Sequence, residues 1–214
     1  MKVVKYFIFL SLITISWFCY SEDFFKSCDS YYTAQQYTTI DNSDPSIPKN
    51  LGLLDEVTSE GAHIKFTPKQ FASITPLRGH NIANYFGSNM EMELLEYCNQ
   101  ADFAKLYYFK GAANSQFAYI PLMDPASLAE HYPEFKNRAV EPHDKGKASS
   151  PIGTVEYNRF SASGGLGCFN FDYVYWYENL NRPIAVGGYY CHKGGKELTH
   201  EDIKLLLASL RVDF

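Results

Sequence analysis

The sequence predicts an α+β fold: an antiparallel C-terminal β-meander with an amphipathic helix packed on it, together with a mixed α/β N-terminal region. Three observations carry that expectation. Residues 168–177 are aromatic at every odd position (Phe169, Phe171, Tyr173, Tyr175, Tyr177) and mixed at the even ones (Cys168, Asn170, Asp172, Val174, Trp176). Period-two alternation of this kind belongs to a strand with one buried and one wetter face. A second β-prone run, 183–191, follows a four-residue turn at 178–181 and returns antiparallel. Beyond Gly194-Gly195, Thr199 is placed to cap a helix with acids in its first turn, and Ile203, Leu206, Leu207 and Leu210 recur at i, i+3, i+4 and i+7.

In chain order, the first element is a secretion signal over residues 1–21. Lys2 and Lys5 precede an apolar run from Tyr6 to Tyr20, a basic start followed by a short apolar core. The run is shorter than the roughly 20 apolar residues a spanning helix needs and carries Ser11, Thr14 and Ser16. Cys19 and Ser21 supply small residues before a cleavage point that puts the mature start near Glu22. An uncleaved anchor is the weaker alternative. Lipid attachment at Cys19 is weaker still, since Ser16-Trp17-Phe18 is too bulky for such a site.

Residues 22–136 form the expected N-terminal α+β region. Its first part, 22–50, is polar and turn-rich and reads as an extended arm pinned by Cys28. Strand-like stretches follow at 53–57 and 63–66. Thr67-Pro68-Lys69-Gln70 has the form of a capping box opening a helix of about two turns, ended by Thr75-Pro76. Residues 92–98 suit either a helix end or a strand. Residues 105–110 and 116–123 read as strands with a turn between them, and Asp124-Pro125 opens a short helix through His131. Residues 137–151 are nearly free of apolar side chains and read as a polar linker or loop. The C-terminal region, 152–214, begins with a strand at 154–162 and a turn at 163–165.

The cysteines sharpen the register. Removing the signal leaves Cys28, Cys98, Cys168 and Cys191, and an even count in an exported chain points to disulfides. With a four-residue turn, Tyr175 faces Ile184, Tyr173 faces Val186, Phe171 faces Gly188 and Cys168 faces Cys191. Directly opposed Cβ atoms lie ~4.5–5.5 Å apart, close to disulfide reach. Cys28 is then left for Cys98 by elimination.

Composition excludes some functions. The whole chain has 19 basic and 24 acidic residues; loss of Lys2 and Lys5 with the signal takes the net charge from −5 to −7. A phosphate backbone needs a basic surface, so no nucleic-acid partner is expected. Nor is stable membrane insertion of the mature chain. None of the twelve Asn residues lies in a glycosylation sequon, which tilts toward a bacterial source.

No catalytic, cofactor or metal motif is present. Gly164-Gly165-Leu166-Gly167 superficially suggests a phosphate loop but joins two strands, so a hairpin turn is the better reading. His192, His200 and Glu201 invite a metal site, against the plainer reading of surface histidines in a loop and a helix cap. A Cys–His nucleophile at Cys98 or Cys28 yields to the disulfide reading. Asp172, near Asn170 and Trp176, stands out among the acids. Such a face can bind a sugar or a cation, although a solvated strand face is preferred. The resulting expectation is a periplasmic or secreted, non-catalytic binding or accessory protein of the envelope, with a protein or glycan ligand. The alternative is a small hydrolase using His80, His131 and carboxylates. Intact-mass analysis of the exported protein should show a chain beginning near Glu22; recovery of residues 1–21 in a membrane pellet would overturn the signal assignment.

Overall fold

The computed structural model describes residues 55–56, 63–74, 76–85, 88–111, 124–128, 132–135, 137–177 and 182–213. All fall in the second of the chain's two units, Thr33–Phe214. The secretion signal, the arm with Cys28, the strand expected at 116–123, His131 and the turn at 178–181 lie outside the described residues.

Ten strands and one α-helix are described. The strands are β1 (Asp55–Glu56), β2 (Ile64–Phe66), β3 (Leu77–Tyr85), β4 (Ser88–Cys98), β5 (Asp102–Lys110), β6 (Val140–Ser150), β7 (Gly153–Ala162), β8 (Leu166–Tyr177), β9 (Arg182–Lys193) and β10 (Leu210–Val212); the helix α1 spans His200–Leu207. Eight strands form one antiparallel sheet in the order β1-β3-β4-β5-β9-β8-β7-β6, and β10 pairs with β2 in a small second sheet. Two meanders, β3–β5 and β6–β9, therefore meet through their last strands. Asp102 faces His192 and Lys110 faces Ile184 along that seam.

The β8–β9 register is the expected one: Cys168 opposes Cys191, Phe171 opposes Gly188, Tyr173 opposes Val186 and Tyr175 opposes Ile184. Phe169, Phe171 and Val186 share a core with Leu95, Leu106, Tyr108, Tyr157 and Tyr190, and Tyr173 packs at its margin. Over this face lie α1, β2 and β10, contributing Ile203, Leu206, Leu207, Ile64, Phe66 and Leu210. The helix starts in a true capping box: Thr199 Oγ1 accepts from the Asp202 amide at 3.1 Å, and the Thr199 amide donates to Asp202 Oδ2 at 2.9 Å. It stops earlier than the apolar spacing suggests. Ser209 Oγ donates to the Leu206 carbonyl and Arg211 Nη1 to that of Ala208. Leu210 thereby enters β10 opposite Phe66, still within the same core.

Three expectations are corrected. Residues 67–70 open no two-turn helix: only a 3₁₀ turn, Lys69–Phe71, forms, capped by Pro68 without a side-chain bond. The Thr67 amide is instead directed to the Ser209 carbonyl beside the β2–β10 pair, and Phe71 stacks on Tyr97 at a centroid distance of 4.9 Å. Tertiary pairing thus outweighs the local cap.

Residues 137–151 are not a free linker but supply β6, the sheet's edge strand. Its side chains are mostly exposed, and a register shift lies between Pro142 and Lys145. An edge strand needs backbone pairing on one side only, so a polar sequence suffices. Pro, Lys and a bulge also discourage further pairing.

Finally, the even positions of β8 are not a wet face. Cys168, Asn170 and Asp172 are buried, and the opposite side of the sheet carries its own cover. There Phe135 packs edge-on against Phe160 and Tyr189, and Tyr132 packs edge-on against Tyr189.

The helix face can be tested directly. Leu206 is 2% exposed and Leu205 73%. In urea unfolding, Leu206→Ala should cost about 2–5 kcal/mol, whereas Leu205→Ala should stay within ~0.5 kcal/mol of the parent.

Candidate functional site

The strand register sorts polar side chains onto the two faces. On the face opposite α1, β8 presents Asn170 and Asp172. These are paired across the ladder with Asn158 and Glu156 of β7 on one side, and with Tyr189 and Gly187 of β9 on the other. Next along, Tyr189 faces Lys105 of β5, Gly187 faces Tyr107, and Lys105 faces Glu96 of β4. Polar residues from five strands thus form one band.

At one end of the band, Lys105 Nζ sits 2.8 Å from Glu96 Oε1 and 3.1 Å from Glu134 Oε1, with the Tyr132 ring 5.9 Å away. Burial alone pulls the Lys105 pKa down, but the Glu134 and Glu96 charges outweigh it and hold the ammonium above its ordinary value. Burial, then the Glu134 charge, drives the Tyr189 hydroxyl well up. Glu134 belongs to the 3₁₀ turn Pro133–Phe135, so this ion cluster fastens that turn to the sheet. Removing one partner of such a buried cluster is costly because the other charges lose their compensation.

At the other end, Asp172 is 6% exposed, and among the described residues its Oδ1 has no hydrogen-bond partner. Burial pushes the carboxyl up to about 6; the Tyr173 backbone amide opposes the rise and the Glu156 charge adds to it. Asn158 and Asn170 are buried on the same face. Gly187, directly opposite Asp172, is required here: an added Cβ would collide with the Tyr107 hydroxyl. The missing side chain lets the Tyr107 phenol lie over the strand beside Asp172. The solvated face preferred from the sequence is therefore replaced by a buried polar patch of one acid and two amides, with the half-buried Tyr107 phenol at its edge.

The disulfide between Cys168 and Cys191 is formed, with Cα atoms 4.1 Å apart. Both cysteines are buried on the same face as Asp172. Cys98 is disulfide-bonded as well; Cys28, its expected partner, lies outside the described residues.

Among the described residues, His63, His143, His192 and His200 each meet a different carboxylate. His63 Nε2 meets Glu91 at 2.9 Å, and its ring stacks on Tyr108. His143, in the β6 bulge, lies 3.6 Å from Glu197. His200 contacts the Tyr157 hydroxyl at 2.5 Å and Asp144 at 3.3 Å, while His192 Nδ1 contacts Asp102 Oδ1 at 2.9 Å. His192 and His200 thus serve different carboxylates, and among the described residues no group of three His, Cys, Asp or Glu could hold a metal. His80 is on β3, opposite Glu93. Sequence reasoning missed the Asp102–His192 pair, which Tyr190 joins by donating its hydroxyl to Asp102. These residues come from strands paired some 90 positions apart, and no local spacing signals them. The Gly164-Gly165 segment is a turn between β7 and β8, as expected.

No family model, curated protein or solved structure matches the chain. The fold defines a class: a disulfide-bonded, mainly antiparallel α+β protein in which, among the described residues, one helix covers one sheet face. Among the described residues no helix is long and apolar enough to cross a membrane.

Asp172 gives a pH test. Its folded pKa lies above the ordinary carboxyl value. Its protonated form therefore supports the fold fully below about pH 4, and that contribution is lost as pH rises through about 6. Asp172→Asn should match the parent in urea stability at pH 4 and exceed it by about 1–3 kcal/mol at pH 7.5. Equal stability differences at both pH values would mean the carboxyl is solvated.

Proposed function

We propose that the chain is an exported, periplasmic or secreted, non-catalytic binding or accessory protein of the cell envelope. The buried Cys168–Cys191 disulfide supports an oxidising compartment. The observation that carries the binding role is Asp172: a buried carboxyl with an unfilled acceptor, beside two buried amides and a phenol. Unsatisfied buried polar atoms are rare in native proteins and call for a functional account. A ligand presenting hydrogen-bond donors or positive charge complements this patch.

The hydrolase alternative draws support from a different place than His80 and His131. Asp102 orients His192 through Nδ1, the geometry of a base held by a carboxylate. A hydrolase also needs a nucleophile or water positioned at the other ring nitrogen and donors for the developing oxyanion. The binding reading requires neither.

The two readings separate in one experiment. The mature chain, purified from the exported fraction, is heated in the presence of panels of metal salts, small amines and sugars, alongside Asp172→Asn and His192→Ala. The binding reading expects at least one panel to raise Tm in the parent and in His192→Ala but not in Asp172→Asn. Ester or glycoside turnover abolished by His192→Ala would support the hydrolase instead. A ligand shift insensitive to Asp172 would remove the site.

A further inference from the structure

We draw no further inference here: the strongest candidate, the Tyr190–Asp102–His192 side-chain cluster at the β5–β9 seam, belongs to the hydrolase reading already described, and among the described residues no nucleophile, oxyanion donor or hollow for a ligand is shown beside it.

Discussion

The ladder between β5 and β9 is the constraint on which everything else rests. It joins the last strand of one meander to the last strand of the other, from Asp102 opposite His192 to Lys110 opposite Ile184. Without it, each meander would expose a long unpaired edge, a liability that proteins generally cover or blunt. With it, Tyr190 meets Ala104 and Val186 meets Tyr108 on one face, while Tyr189 meets Lys105 and Gly187 meets Tyr107 on the other. The apolar core and the polar band are thus two sides of a single pairing event. Closing a loop of that length costs conformational entropy before any contact is gained, so folding rate should depend strongly on this step.

The two faces are stabilised differently. On the helix side, burial of Ile203, Leu206, Leu207 and Leu210 against the aromatic strands needs only shape and apolar area. On the other side, the cover is pinned by directional contacts: Lys105 between two carboxylates, Phe135 edge-on to two rings, and the Cys168–Cys191 bridge in the adjacent ladder. A polar band of this kind is favourable only where its members are satisfied. Lys105 meets that condition through Glu96 and Glu134, whereas Asp172, with its open acceptor, does not.

Glycine placement links the faces to function. Gly188 has φ +150°, and a Cβ there would run into the β5 backbone at Lys105 and Leu106, so the central seam can close only around glycine. Its neighbour Gly187 has an ordinary backbone but makes room for Tyr107 beside Asp172. In β6, Gly146 does the same for Tyr157, whose hydroxyl then reaches His200 at the start of α1. Gly187 and Gly146 each let a phenol lie across a strand.

Several features were determined by the sequence itself. The β8–β9 register and the Cys168–Cys191 bond follow from period-two alternation and an even-length turn. The start of α1 follows from Thr199 and its acids. These are contacts between near neighbours, where side-chain period and turn length leave one geometry. Tertiary structure alone decided the rest. Residues 137–151 look unstructured because an edge strand pairs through its backbone, which composition does not report. The capping box at Thr67 was lost to β2–β10 pairing, and Leu210 left the helix to take part in it. The burial of Asp172 and the meeting of Asp102 with His192 depend on which distant strand lies alongside and on what covers the second face. Hydrophobic periodicity specifies that a face is buried, but not which remote segment buries it, because the pairing energy resides in backbone groups that every residue carries alike.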